Sequence, residues 1–315
     1  MTGALSTVGG EPALPTTSRK RLSARKTRSS HPLAGRPATG LGSGRSIALT
    51  ALLAAGCAPS LASMQPAHVA PAGHLEVTAA VEVGIPTGSI VSAIDAGRAL
   101  SEAAAQGRLT ADEERRVFEA GVNVLAAAPS VGPHLALAYT VADNLEIGGR
   151  YAGDGWRVGT RYQILRHQEA PADLTVGFGL ARSVFAIPMT DFIPILHVDD
   201  FTRWTVDVPI VMGTSRSWFR VWAGPKLLWS HFETALRLSA PHGNTEQASF
   251  EGHATYLGGQ AGVAVGYRHL FLGFELTLAE AFGSASVTAT SDPAVRPVDV
   301  SGFVVYPAFG LMGEI

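Results

Sequence analysis

Strict two-residue alternation recurs ten times in this chain of 315 residues, and it limits the possible folds more than any other feature. A period of two puts successive side chains on opposite faces of an extended strand. In the first segment, His74–Ile85, Leu75, Val77, Ala79, Val81, Val83 and Ile85 share one face, and Glu76, Thr78, Ala80 and Glu82 share the other. The same pattern returns over 134–141, 145–152, 156–165, 174–181, 203–210, 219–229, 253–267, 270–279 and 300–315. Most runs are about 8–13 residues and the longest 15–16, against the roughly 9–11 that a tilted strand needs to cross a bilayer. The face opposite the apolar one carries Gly, Ala and charges of both signs. That composition suits a crowded, hydrogen-bonded interior better than the solvent face of a soluble sandwich or lipocalin-like barrel. The expected fold is an all-β, transmembrane, antiparallel up-and-down barrel of ten strands.

The connections support this reading independently. The segments 142–144, 166–172, 214–217 and 268–269 are short, whereas 86–133, 183–202, 230–252 and 283–299 are long. Outer-membrane barrels join their strands by short periplasmic turns and longer outer loops. Only the turn at 153–155 breaks the alternation. Trp156, Trp204 and Trp229 fall at one set of strand ends, and Tyr162, Trp218 and Tyr267 at the other, as interfacial girdles do. In the last segment Phe303, Val305, Phe309, Leu311 and Ile315 lie two or four apart. This resembles the C-terminal strand of bacterial outer-membrane barrel proteins, and the resemblance implies recognition by a barrel-assembly machinery. The chain departs from the pattern in ending on Ile, and in Pro307 and Gly313 on the same face.

The first connection has helical periodicity, expected over about 88–127. Residues 90–105 are Ala-rich. Thr110-Ala111-Asp112-Glu113 matches a capping box, and Phe118, Val122 and Leu125 form a stripe after it. Two arrangements are open: a small hairpin over the outer mouth, or a plug folded into the lumen.

Residues 1–44 are basic and rich in Ser, Thr, Pro and Gly, the composition of a disordered extension. Arg45 then precedes an apolar stretch, Ser46–Gly56, too short to span a bilayer and of the length of a signal-peptide core. It ends Leu53-Ala54-Ala55-Gly56-Cys57. This is similar to the bacterial lipoprotein box, which implies lipidation of Cys57, the chain's single cysteine. Ala54 stands where that family most often has Leu, so a plain signal peptide cut near Ala58–Ser63 is the alternative. Residues 57–73 read as a flexible tether to a barrel over 74–315. Eight of the 24 Lys and Arg, and one of the 26 acids, precede Cys57, so the remainder carries about −9 (16 minus 25). Such a chain is a poor partner for nucleic acid.

Two sets of residues are candidates for chemistry. Glu76, Glu82, Glu146, Arg150, Arg157, Arg161, Arg203, Asp207, Arg220, Lys226 and Glu275 are expected in the lumen, where buried charges must pair or stay hydrated. His197, Asp199, Asp200, His231, Glu233 and His253 are expected at the outer mouth, where His and carboxylates can activate water or bind a divalent ion. Some ten-stranded outer-membrane proteases hold an Asp/His site at that level, and the likeness here is confined to strand number and position. There is no nucleophile elbow, Walker loop or zincin motif, and no cofactor or metal is expected. The leading expectation is a non-enzymatic outer-membrane protein with a structural or surface-binding role, both termini periplasmic. A narrow pore for small solutes and a surface hydrolase are the alternatives.

Overall fold

The computed structural model describes residues 59–106, 111–152, 155–166, 170–185, 196–198, 201–239, 245–289 and 296–315. The extension 1–44, the signal core 45–56 and Cys57 lie outside them, as do Asp199 and Asp200.

Ten strands close into one antiparallel barrel: β1 (Leu75–Pro86), β2 (Ser130–Ala142), β3 (Leu145–Ala152), β4 (Gly155–Leu165), β5 (Asp173–Phe185), β7 (Phe201–Ser215), β8 (Phe219–Ser239), β9 (Thr245–Tyr267), β10 (Leu270–Ala289) and β11 (Arg296–Glu314). Each pairs with the next. β1 meets β11 in a ladder running from Glu76↔Glu314 to Pro86↔Val304, so the sheet has no free edge. A three-residue strand, β6 (Leu196–Val198), extends the rim by pairing with β8 at Leu196↔Leu238. Helices α1 (Thr87–Gln106) and α2 (Ala111–Ala126) lie between β1 and β2. No described helix is long and apolar enough to cross a membrane; that concerns helices alone.

The barrel has a near end and a far end. The near end carries both ends of the sheet and the short turns, including a two-residue turn in which Arg268 is left-handed (φ 57°). Register shifts at Thr140/Ala142 and Gln163/Leu165 lie there too. The far end carries the helices, the turn at 153–154 and the connections 186–200, 240–244 and 290–295. On the near two-thirds, apolar side chains point outward: Leu135, Leu137, Ile147, Val158, Phe178, Val263, Leu272, Phe274 and Phe309 are all exposed. Along β10 this belt runs from Leu270 to Leu278, about 20 Å of height at roughly 3.3 Å per residue and 40° of tilt. Trp156, Trp204 and Trp229 rim it at the far side, and Tyr162, Trp218 and Tyr267 at the near side, with Trp156 70% and Tyr267 71% exposed.

The sequence reading ends the late strands too soon. Segments 230–252 and 283–299 read as loops, yet β8 and β9 stay paired to Ser239↔Thr245, and β10 and β11 to Val287↔Arg296. Over this extension the polarity inverts. On β9, Ser249, Glu251 and His253 face outward, while Phe250, Ala254 and Tyr256 are buried inside. Further along the same strand, Leu257, Val263 and Val265 face outward and Gln260 lies inside. The pleat does not slip; only the solvent on each side changes. Above the belt water is outside, so the apolar face turns inward and builds a small core of Phe201, Phe232, Phe250, Val298 and Val300.

Helix α2 completes that core. Val122, Leu125 and Ala126 are buried in it, while the side chain of Phe118 is outside the described set. The last carbonyls of a helix have no partner within it, and here the barrel wall supplies them. Arg203 donates to Leu125 O (2.7 Å) and Ala126 O (3.0 Å), and Tyr256 Oη to Ala126 O (2.7 Å). A cation at this end also opposes the helix dipole. The start of α1 lies against β11, where a Cβ on Gly88 would stand 2.5 Å from Gly302 Cα. The helices thus sit over the far mouth.

Candidate functional site

The interior of the barrel is occupied. Residues 59–73, which read as a tether, run from the near-end turn at Pro71–Gly73 up through the lumen. Gly73 is left-handed (φ 89°) and its N–H bonds Thr140 O (2.8 Å). Leu61, Ala62, Met64, Ala67, Val69 and Ala70 are almost fully buried. Pro59 ends the described strap in the far half, beside Ala152, Gly155, Arg157 and Asp207. Nothing in the local sequence signals this. The segment lacks periodicity, and only the enclosing wall gives its small side chains and free backbone groups a place.

The wall reads the main chain of the strap. Glu275 Oε1 accepts the Ser63 N–H (2.6 Å), and its Oε2 accepts the Met64 N–H (2.9 Å) and Trp222 Nε1–H (2.9 Å). Met64 is left-handed (φ 49°), so two successive N–H groups converge on one carboxylate. Such a nest is an anion site, and its bonds offset the roughly 1–2 kcal/mol that a non-Gly residue loses in that region. Lys226 donates to Leu61 O, Arg150 to Ala62 O and Arg161 to Pro66 O (2.6 Å). Gln163 accepts from Val69 N (3.1 Å). Two strap side chains are also read: Ser60 Oγ donates to Glu82 (2.8 Å) and Ser63 Oγ to Gln260 (2.6 Å).

Behind the strap the wall pairs its own charges. Arg157 grips Asp207 through two bonds (2.6 and 2.9 Å). It lies across Gly179, where any Cβ would meet the guanidinium. Arg161 joins Glu146 (2.8 and 2.5 Å) and Glu76 (3.1 Å), and Arg220 pairs with Glu314. Glu82 faces His134 Nδ1 at 3.1 Å. All eleven side chains expected in the lumen project inward, with Arg203 at the base of the helical cap. His134, Gln163, Trp222, Gln260 and Glu314 belong to the same network. His134 keeps the parity of the inward Ala138 and Thr140, and Glu314 that of the inward Ala308 and Met312, so the alternation already carried both to the lumen side. Two voids among the described residues lie beside the strap, of about 20 Å³ and about 10 Å³, each room for roughly one water.

Of the residues expected at the outer mouth, Asp199 and Asp200 lie outside the described residues, and His231, Glu233 and His253 lie on the outer surface rather than over the opening. His231 and His253 are cross-strand partners, as are Glu233 and Glu251, on the outer surface of the far extension. His231 Nε2 is 4.0 Å from Glu251 and stacks on Trp229. His197 pairs through its main chain with Arg237. The described residues hold no group of three His, Cys, Asp or Glu placed to bind a metal ion.

No family model matches the chain, and no curated protein matches it in sequence. Among solved structures it is similar to a major outer membrane protein from Thermus thermophilus, at 9% identity over 76% of this chain and 99% of that one, TM-score 0.32. It is also similar to the outer membrane protein OprG from Pseudomonas aeruginosa (9%, 78% and 97%, TM-score 0.35). A third is Ail, the attachment invasion locus protein of Yersinia pestis (10%, 78% and 99%, TM-score 0.28). Likeness this slight carries nothing about role. The barrel's own geometry defines the class: a closed antiparallel barrel with an apolar, aromatic-rimmed exterior and a filled polar interior.

Proposed function

We propose that the chain is an outer-membrane barrel of the cell envelope with a structural or surface-binding role. The observation that carries this is the change of polarity along single strands. Outward apolar faces between two aromatic rims give way above them to outward Glu, His and Ser over an apolar core. A water-soluble barrel has no reason to expose the belt, and burying it in lipid returns about 25 cal/mol per Å². The near end, with its short turns, is assigned to the periplasm and the helical cap and extension to the outside. β11 then closes the barrel last and offers outward Phe309, Leu311 and Ile315 to an assembly machinery.

In the seated state the barrel is a closed anchor that presents its far extension to the medium. No described cluster favours hydrolysis. Processing follows from the strap. Pro59 lies in the far half of the lumen, and two residues of chain reach at most about 7 Å. An acyl group on Cys57 reaches the near-side leaflet only with the strap withdrawn, so a seated strap fits plain cleavage at the Ala58 end of the window, which keeps Ser60, Leu61 and Ala62, better than lipidation.

Membrane fractionation with heat-modifiable gel migration tests the barrel. Recovery of the mature chain in a soluble periplasmic fraction refutes it. Labelled-lipid incorporation, compared with Cys57→Ser, tests the processing; label in the wild-type chain alone would overturn plain cleavage.

A further inference from the structure

We propose that residues 59–73 are a displaceable plug, and that withdrawing them converts the closed barrel into a channel for small hydrated solutes. This rests on the membrane reading above and adds a conducting state to it. Three observations carry it.

First, the strap is not part of the sheet. Over residues 59–70 it makes no ladder with any strand, and the hydrogen bonds that hold its main chain there come from wall side chains. It joins the barrel through Gly73, a left-handed residue at whose Cβ position nothing lies within 4 Å. Pro71, Ala72 and Gly73 are exposed at the near mouth, so rotation there moves the strap without unpairing β1.

Second, the wall is complete without it. Arg157–Asp207, Arg161–Glu146 and Arg220–Glu314 are strand-to-strand pairs that persist when the strap leaves. The charged groups that bond the strap without also pairing with an opposite charge of the wall in these contacts are Lys226, Arg150 and Glu275. Exposed to water, these three hydrate. They lie at mid-height, so the emptied lumen is lined by fixed charges of both signs rather than by apolar surface that would collapse or dewet.

Third, the grip is on backbone. Six strap main-chain groups, on Leu61, Ala62, Ser63, Met64, Pro66 and Val69, are held by the wall. A site of this kind holds an extended peptide with little dependence on sequence, and rebinds it after release.

The experiment is conductance of purified barrels in planar bilayers. The wild-type chain is expected to be silent. A variant lacking residues 59–72 is expected to give discrete current steps. A synthetic peptide of residues 59–72, added on the near side, is expected to abolish them. A second variant, Ser63→Pro with Met64→Pro, removes both strap N–H groups that Glu275 accepts while leaving every wall residue in place, and is expected to flicker open. Heat-modifiable migration of each variant establishes that the barrel itself has formed, which separates failure of the membrane reading from failure of the plug. If the folded deletion variant stays silent, or wild type conducts as well as it does, the plug is overturned. Steps that the peptide leaves unchanged while a scrambled peptide blocks them would also overturn it.

Discussion

Glu275→Gln is the sharpest probe of how the strap is held. Glu275 is 0% exposed and accepts three hydrogen bonds within 2.9 Å, one on Oε1 and two on Oε2. Glutamine keeps the shape but has one acceptor oxygen. Turned toward Met64 and Trp222, it leaves its NH₂ facing the Ser63 N–H, donor against donor. The turned-over amide is worse, because it faces two donors. A hydrogen bond to a charged group contributes about 1.5–3 kcal/mol. Relief from burying a charge offsets part of this, leaving about 2 kcal/mol against the seated strap. That corresponds to about a 30-fold rise in the released fraction. Hydrogen exchange in detergent micelles measures it. Strap amides over residues 60–70 should exchange about 30-fold faster, and amides of β3 and β4 at the wild-type rate. Unchanged strap protection would refute the nest as the anchor. Equal acceleration throughout the wall would show that Glu275 holds the barrel and not the strap.

Other perturbations test the remaining structure. Phe274→Arg places a charge within the apolar belt and should cost about 2–4 kcal/mol in urea unfolding from vesicles, whereas Ser249→Arg, above the polarity change, should stay within about 0.5 kcal/mol. Asp207→Asn strands Arg157 and should cost about 3–5 kcal/mol, and the double variant Arg157→Met/Asp207→Leu should recover most of it. Gly88→Val drives a side chain into the β11 backbone. It should loosen α1 by about 1–3 kcal/mol and speed proteolysis within residues 87–126, leaving heat-modifiable migration of the barrel intact.

The barrel was legible because a pleated strand between two different solvents writes a period of two directly into the chain. The run Leu270–Leu278 needed no partner to be read, nor did the inward Glu275 and Thr277. The far ends of β8–β11 were misread for the same reason. Once outer residues such as Glu251 and His253 become polar, a reading keyed to an apolar outer face takes the strand for a loop, although Phe250, Ala254 and Tyr256 keep the beat on the other side. The lumen charges were legible one by one, but not their pairing: Arg157 finds Asp207 across β5, 50 residues along the chain.

What local sequence could not contain was the fate of residues 59–73. A strand buries its face against lipid whatever the rest of the chain does, so its own pattern determines it. The strap has no pattern of its own. Its conformation is set by six backbone groups meeting Lys226, Arg150, Glu275, Arg161 and Gln163, which come from four different strands and converge only when the barrel closes. The sequence by itself therefore determined a barrel with a charged interior, and only the tertiary structure decided that the interior is filled by the chain's own N-terminal segment.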